Sequence, residues 1–169
     1  TVIGNPIEHS LSPKLHNYWI KKNNIDAIYE KKKIEEIELK NIIYEIKEGK
    51  LSGINVTVPF KKSVIPFLDG LSKEAHDSQS VNTIYLEEKK LVGHNTDIAG
   101  FDLGLRYSKY NAKNKKVLIL GAGGVVPSII LALNRMKVSK IMISNRTKKK
   151  AEDLKNYFSN INVVDWGNI

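Results

Sequence analysis

The feature that most constrains the fold is a glycine-rich turn between an apolar strand and a helix. Gly121-Ala-Gly-Gly124 follows an apolar stretch at residues 117–120 and precedes a stretch of helical periodicity at residues 126–136. In such a turn the first glycine permits a tight bend. The second lets the main chain approach a pyrophosphate, whose charge the N-terminus of the helix stabilises. This context predicts a dinucleotide-binding α/β unit, although Val126 occupies the usual place of a third glycine.

The pattern continues beyond the turn with a strand at residues 141–144, a helix at 148–158 and a strand at 161–164. Together with the strand at residues 117–120 and the helix at 126–136, these elements form a βαβαβ unit. A complete doubly wound dinucleotide fold has two such halves and six strands, whereas this unit has only three strands in the sequence. We therefore expect a partial Rossmann-type domain, truncated at its C-terminus. We also expect residues upstream of Thr1, which opens inside a strand.

The end of the second strand of this unit indicates the type of cofactor. An NAD-binding unit usually has Asp or Glu about 20 residues after the glycines, to bind the ribose 2′-hydroxyl. Here the residues are Asn145-Arg-Thr147. Arg146 offers a fork for a 2′-phosphate, Thr147 offers a hydroxyl, and Lys150 lies one turn along the next helix. These residues predict NADP.

Asn145 has two interpretations, because it could reach the ribose or adenine, or it could cap the following helix, as Thr147 also could. The predicted cofactor-binding residues are Gly121, Ala122, Gly123, Gly124, Val125, Asn145, Arg146, Thr147 and Lys150.

The net charge of +9 raises the alternative of nucleic-acid binding. Of the 27 basic residues 24 are Lys and 3 are Arg, whereas contacts to phosphates and base edges favour Arg. We interpret the runs at residues 31–33 and 148–150 as solvated helix faces, and we predict no nucleic-acid partner. No apolar run approaches the roughly 20 residues that a membrane span needs, so we predict no membrane association and a cytoplasmic location. The chain has no Cys, which excludes disulfides and thiolate metal sites.

The N-terminal part alternates strands and helices. Ser12 is a candidate N-cap with Pro13 in the first helical turn, and residues 35–47 carry apolar side chains at helical spacing. The predicted strands are residues 1–4, 27–30, 53–58, 81–86 and 91–93, the last two as a hairpin, and the predicted helices begin at Ser12 and cover 35–47, 61–68 and 97–110. The polar residues 111–115 form a linker.

These elements predict an α/β protein with three segments. Residues 1–99 form an N-terminal α/β substrate domain, residues 100–115 form a connecting helix and linker, and residues 116–169 form the partial Rossmann-type NADP-binding domain. Open α/β sheets bind ligands at the ends of their strands, and three polar clusters of the first domain lie there. The clusters are Ser10 with Ser12, then Asn55, Thr57 and Lys61, then Asn82 with Asn95, Thr96 and Asp97. Singly, each has a structural explanation, such as a helix cap at Ser12 or Asp97.

Together with their flanking residues, these clusters resemble the shikimate dehydrogenase family along the whole chain. The matching stretches are Gly4-Asn-Pro-Ile-Glu-His-Ser-Leu-Ser-Pro13, Asn55-Val-Thr-Val-Pro-Phe-Lys61, Val81-Asn-Thr83, Asn95-Thr-Asp97, Gly121-Ala-Gly-Gly124 and Asn145-Arg-Thr147. The resemblance implies that Ser10, Ser12, Asn55, Thr57 and Asn82 bind the hydroxyls and carboxylate of shikimate. It also makes Lys61 and Asp97 the catalytic pair.

The implied reaction is the reversible, NADP-dependent reduction of 3-dehydroshikimate to shikimate, in the route to aromatic amino acids. Charge that develops on the carbonyl oxygen needs a cation or proton donor, which Lys61 supplies while Asp97 orients it. One alternative is a quinate or broad-specificity paralogue that uses NAD. Another is a dinucleotide-binding protein without catalysis. The sequence leaves the oligomeric state open, with a homodimer as one option.

Overall fold

The first unit of the protein is built on a mixed β-sheet. The computed structural model describes residues 1–167, which divide into two units, Thr1–Asn95 and the part from Thr96 onwards. The elements of the first unit are β1 (Val2–Gly4), α1 (Ser12–Lys22), β2 (Lys31–Lys33), α2 (Leu39–Lys47), β3 (Gly53–Val56), β4 (Gly70–Leu71), α3 (Lys73–Ser78), β5 (Thr83–Glu87) and β6 (Lys90–His94). The strands are ordered β2-β1-β3-β5-β6-β4.

Alternation along the strands explains which face of this sheet is covered. In β3 the side chains of Ile54 and Val56 are buried, whereas Asn55 between them lies on the opposite, partly open face. The helix α2 buries its apolar stripe, including Ile43 and Ile46, in the same core as the β3 residues. The helical periodicity at residues 35–47 thus predicted this helix, which follows a 3₁₀ turn at Glu36–Glu38.

The predicted strand at residues 27–30 is wrong, and so is the interpretation of the lysine run at 31–33 as a helix face. Asn17 takes both main-chain groups of Tyr29, because its Oδ1 accepts from the Tyr29 N–H at 2.9 Å and its Nδ2 donates to the Tyr29 carbonyl at 2.8 Å. Pairing with β1 begins only at Lys31. Three exposed lysines suit this outermost strand, because charged side chains discourage pairing with another chain.

The predicted helix at residues 61–68 is also wrong. The chain forms turns after β3 and then one 3₁₀ turn at Ile65–Phe67, with Pro66 inside it. Proline lacks the N–H group that a continuing α-helix would need, so the segment cannot extend as one. The short elements β4 and α3 follow and were not predicted from the sequence.

The second unit has the predicted three-stranded parallel pattern. Its elements are α4 (Asp97–Tyr107), β7 (Lys116–Leu120), α5 (Val126–Arg135), β8 (Lys140–Ser144), α6 (Lys148–Tyr157) and β9 (Ile161–Val163). The strands are ordered β7-β8-β9, all parallel, and their core includes Ile130 of α5 and Ile143 of β8. Phe101 of α4 packs against this second core. The α/β fold class is therefore confirmed, with the lysines at 148–150 on an exposed helical turn.

The helices in residues 1–167 include none that is long and apolar enough to cross a membrane. The domain boundaries predicted from the sequence stay a prediction.

Candidate active site

Strand ends gather along one edge of the first sheet. Strands β1 and β3 are parallel, so their carboxyl ends meet at this edge. Strand β5 runs antiparallel to β3 with Asn55 opposite Thr83, which brings the start of β5 to the same edge. Polar residues that are distant in sequence therefore come together here, as the sequence predicted for the N-terminal clusters.

Three of the predicted substrate residues line one cavity at this edge. Ser10, Ser12 and Thr57 surround a cavity of about 270 Å³. The Ser10 hydroxyl oxygen accepts a hydrogen bond from the Ser12 main-chain N–H at 3.3 Å, which fixes the loop against the first turn of α1. The helix-cap interpretation of Ser12 is wrong, because Leu11 occupies the N-cap position and Ser12 is the first residue of the helix.

Gly4, at the end of β1, lies close to Thr57 because it has no side chain. A Cβ atom at this position would lie 2.5 Å from Cγ2 of Thr57 and 3.1 Å from the Val58 carbonyl oxygen. The loop after β1 and the loop after β3 can approach only because residue 4 is glycine, and the Asn5 N–H donates to Val58 O at 3.0 Å. The peptide bonds before Pro6 and Pro59 in these loops are cis. Sequence reasoning gave Gly4 no role of its own.

Asn55 and Asn82 are joined by hydrogen bonds. The Asn55 Nδ2 group donates to the Asn82 carbonyl at 3.2 Å and to Thr83 Oγ1 at 3.1 Å. The Asn55 Oδ1 atom accepts from the Tyr29 hydroxyl at 2.5 Å. Thr83 Oγ1 donates in turn to Asn82 Oδ1 at 3.0 Å. Sequence reasoning assigned no role to Tyr29 or Thr83; Thr83 stands in a quoted motif, whereas no local pattern singles out Tyr29.

The main chain of Lys61 is hydrogen-bonded to Val81, the residue before Asn82. The Lys61 carbonyl accepts a hydrogen bond from the Val81 N–H at 2.8 Å, and the Lys61 side chain is partly buried. Asp97 is the first residue of α4 and belongs to the second unit, with Thr96 as the N-cap residue. The pairing of Lys61 with Asp97 stays a prediction. Asn95 has a structural position, since it is buried and its Nδ2 donates to Ser80 O at 2.8 Å.

In the second unit, the glycine turn has the backbone geometry expected of it. Gly121 has φ of +109°, a region that side-chain-bearing residues rarely adopt, and its N–H donates to Ser144 O at 2.8 Å. A Cβ atom at Gly123 or Gly124 would meet nothing within 4 Å. Val126 is buried in the core at the start of α5, so the absent third glycine does not disturb the turn.

Asn145 fixes this turn from the neighbouring strand. Its Oδ1 accepts from the Ala122 N–H at 3.1 Å, and its Nδ2 donates to the Thr147 carbonyl at 2.7 Å. Thr147 occupies the N-cap position of α6, but neither its side chain nor that of Asn145 caps the helix, so the capping interpretation is wrong. Arg146 and Lys150 are exposed in the same region.

These features fit a dinucleotide. The open space over Gly123 and Gly124 and the adjacent start of the ten-residue helix α5 suit a pyrophosphate, because main-chain N–H groups and the helix dipole favour an anion there. Arg146 adds a planar cation that matches a further phosphate.

Comparison with known proteins agrees with both halves of this description. Residues 2–84 match the family model for the shikimate dehydrogenase substrate binding domain, and residues 104–167 match that for shikimate / quinate 5-dehydrogenase. The chain belongs to the shikimate dehydrogenase family.

Its relatives are longer than this chain. Shikimate dehydrogenase (NADP(+)) of Pelagibacter ubique (strain HTCC1062) is 58% identical over 166 residues, which are 98% of this chain and 63% of that protein. Shikimate dehydrogenase from Aquifex aeolicus has 41% identity and a TM-score of 0.89, with 96% of this chain and 60% of that one covered.

A shikimate 5-dehydrogenase from Thermus thermophilus, solved in complex with NADP(H) and shikimate, has 31% identity and a TM-score of 0.86, with 96% of this chain and 61% of that one covered. The chain thus spans about three fifths of the length of these relatives.

Proposed function

We propose that the protein catalyses the NADP-dependent, reversible reduction of 3-dehydroshikimate to shikimate. The observation that carries the proposal is the cavity lined by Ser10, Ser12 and Thr57 in a chain of this family. Three hydroxyls around one small cavity suit a polyhydroxylated ring acid, because such a site rejects analogues that lack the paired hydroxyls. Asn55 and Asn82 complete the proposed set of substrate-binding residues.

Lys61 is the proposed acid and base of the reaction. When bound, NADPH would supply the hydride during reduction, and NADP⁺ would accept it during oxidation. The Lys61 ammonium donates a proton to the carbonyl oxygen of the substrate during reduction, and the neutral amine accepts that proton during oxidation. Asp97 is the proposed partner that orients the Lys61 side chain and hydrogen-bonds a ring hydroxyl, which would hold one face of the ring toward the cofactor.

The experiment that tests this role is Lys61→Ala in the complete protein. We expect kcat for shikimate oxidation to fall about 10²- to 10⁴-fold with a small change in KM, because the lost group acts on the proton in transit. Lys62→Ala is the matched control, since Lys62 is the exposed neighbour and should leave kcat unchanged. Turnover of Lys61→Ala at the parent rate would contradict the acid and base role, and a parent protein that does not oxidise shikimate would contradict the function itself.

The proposed contacts to the 2′-phosphate of NADP are the side chains of Arg146, Thr147 and Lys150. Their exposure at the start of α6 and the absence of Asp or Glu at positions 145–147 support this preference. We expect Arg146→Ala to raise the KM for NADP about tenfold and to leave the KM for NAD unchanged, since NAD lacks the phosphate. Lys155→Ala, in the last turn of α6, is the control. An equal rise for both cofactors would contradict the proposed contact.

Quinate is the second candidate substrate, because the family model matched by residues 104–167 is described for shikimate and quinate together. Comparison of kcat/KM for the two acids in one steady-state series separates the candidates. A cytoplasmic location, a homodimer and the lack of a nucleic-acid partner stay predictions of the sequence.

A further inference from the structure

The side chains of Tyr29, Asn55, Thr83 and Asn82 form a chain of hydrogen bonds, which we call the relay. The donor and the acceptor of each bond are fixed. The Asn82 carbonyl can only accept, so the group of Asn55 that faces it at 3.2 Å must be the Nδ2 amide. The Oδ1 atom of Asn55 therefore faces Tyr29, whose hydroxyl must donate across the 2.5 Å contact. The main-chain carbonyl thereby sets the orientation of the Asn55 side chain.

Thr83 and Asn82 are oriented by their hydrogen bonds in the same way. The second Nδ2 hydrogen of Asn55 donates to Thr83 Oγ1 at 3.1 Å. The Thr83 hydroxyl has one proton, which is then directed to Asn82 Oδ1 at 3.0 Å. The carboxamide of Asn82 is thus oriented with its oxygen toward Thr83 and its nitrogen on the opposite side.

Tyr29 is well suited to begin such a relay. Burial raises the pKa of Tyr29 to about 12, so its hydroxyl keeps the proton that it donates to Asn55 Oδ1. Its ring stacks on His16 with centroids 4.0 Å apart and an interplanar angle of 7°. Asn17 holds both main-chain groups of Tyr29. The phenol is therefore fixed at its ring and at its backbone.

We propose that Tyr29 and Thr83 are positioning residues that set the Asn82 carboxamide to present its nitrogen, so that Asn82 donates a hydrogen bond to an oxygen of the bound acid. Both Nδ2 hydrogens of Asn55 are used within the protein, so Asn55 can meet a ligand only as an acceptor. The relay thereby assigns opposite hydrogen-bonding roles to the two asparagines. The inference rests on the proposed function, in which both asparagines bind the substrate.

Thr83→Val and Thr83→Ser together test the relay in the complete protein. Valine keeps the shape of threonine and removes the hydroxyl, whereas serine keeps the hydroxyl. We expect the Kd for shikimate, measured by titration calorimetry, to rise about fivefold to twentyfold in Thr83→Val and to stay within about twofold of the parent in Thr83→Ser. The KM for shikimate should rise similarly with little change in kcat, because Lys61 is untouched.

Tyr29→Phe should raise the Kd about threefold to tenfold, since it leaves the Asn55 oxygen without its donor. Tyr85→Phe is the matched control, because Tyr85 lines the same cavity of about 540 Å³ as Tyr29 and stands outside the relay. The double variant with Thr83→Val should lose less than the product of the two single effects, as expected for groups in one network.

Hydrogen exchange of the asparagine side-chain amides gives a readout that needs no ligand. The Nδ2 protons of Asn55 should exchange faster in Thr83→Val and at the parent rate in Thr83→Ser. Unchanged exchange in Thr83→Val, or parent-like Kd values for both Thr83→Val and Tyr29→Phe, would overturn the relay. A parent protein that does not bind shikimate would instead overturn the proposed function, while the exchange rates would still decide the relay.

Discussion

Gly4 and Gly93 of the first unit and Gly123 of the second unit face opposite surroundings. In the first unit, a Cβ atom at Gly4 would lie 2.5 Å from Thr57, and one at Gly93 would lie 2.5 Å from Leu68 and 2.9 Å from Val81. In the second unit, a Cβ atom at Gly123 would meet nothing within 4 Å. Gly4 and Gly93 therefore allow close packing within the first unit, whereas the second unit leaves space beside its glycine turn.

This difference corresponds to two kinds of recognition. The proposed substrate site is made of side chains such as Asn55 and Thr57, which neighbouring residues hold in place, and a ligand rich in hydroxyls requires such directed groups. The proposed cofactor site is made of main-chain N–H groups around Gly123. Such groups suit a phosphate, because they and the N-terminus of the helix stabilise an anion. Glycine thus has a packing role at Gly4 and Gly93 and a proposed ligand-access role at Gly123.

The largest expected effect tests the packing role. Gly93→Ala should lower the free energy of unfolding by about 1–3 kcal/mol, because the added methyl overlaps three apolar side chains in a filled core. Urea unfolding followed by circular dichroism measures the change. Gly70→Ala is the control, since a Cβ atom there meets nothing within 4 Å, and it should change the value by less than about 0.5 kcal/mol. Equal stability of the two variants would remove the basis of the comparison.

The next effect tests the ligand-access role. Gly123→Ala should leave the free energy of unfolding within about 0.5 kcal/mol of the parent, because the methyl enters open space. The same methyl should weaken NADP binding about tenfold, or ~1.4 kcal/mol, by occupying the approach of the pyrophosphate. Fluorescence titration with NADPH gives the Kd. Undiminished affinity would mean that the pyrophosphate does not pass over Gly123.

A smaller effect concerns the residue that fixes the turn. Asn145→Ala removes two hydrogen bonds on a partly exposed side chain, so we expect a loss of about 1 kcal/mol in the free energy of unfolding of the second unit. NADP affinity should fall as well, because Ala122 loses its acceptor. Asn134→Ala, in α5 of the same unit, serves as control for NADP affinity. If both variants bind NADP equally well, the turn does not depend on Asn145.

The smallest expected effect concerns a charged side chain of the first unit, Asp69. The N–H of Leu91, at 2.7 Å, and then the ammonium of Lys47, at 2.9 Å, lower the pKa of Asp69. Because the folded pKa is the lower one, this carboxylate stabilises the fold above its unfolded pKa of about 4, and the contribution is lost as the pH falls through the folded value. Urea unfolding between pH 3 and 6 should show a shallower decline for Asp69→Asn than for the parent. Parallel declines would assign the acid sensitivity to other groups.

Regular periodicity made much of the fold predictable from the sequence. The apolar stripe of α2 and the strand, turn and helix around Gly121 depend on local patterns, and both lie where expected. The short strand β4 and helix α3 have too few residues to establish a period. The lysines of β2 form a strand because they pair with the edge of β1, while Asn17 hydrogen-bonds the main chain of Tyr29 just before them. No local sequence pattern reveals either contact.

The candidate site was predictable where its residues recur in motifs. Ser10, Ser12 and Thr57 line one cavity, as their clustering at strand ends indicated. Tyr29 enters the site through a hydrogen bond across 26 residues, and its surrounding segment has no periodicity. Asn145 was expected to reach the ribose or adenine or to cap a helix. Its Oδ1 accepts a hydrogen bond from the Ala122 N–H, which no local pattern indicated, and its contact with the cofactor stays a prediction.

The hydrogen bond between Asn145 and Ala122 means that the glycine turn and the cofactor preference can be changed through different, neighbouring residues. Asn145 holds the turn through the Ala122 N–H, and the exposed residues 146 and 147 are proposed contacts to the 2′-phosphate. A mutant library that aims to change the preferred cofactor can therefore randomise positions 146 and 147 while keeping Asn145 constant. Such a library would vary the proposed cofactor contacts and keep the hydrogen bond that holds the glycine turn.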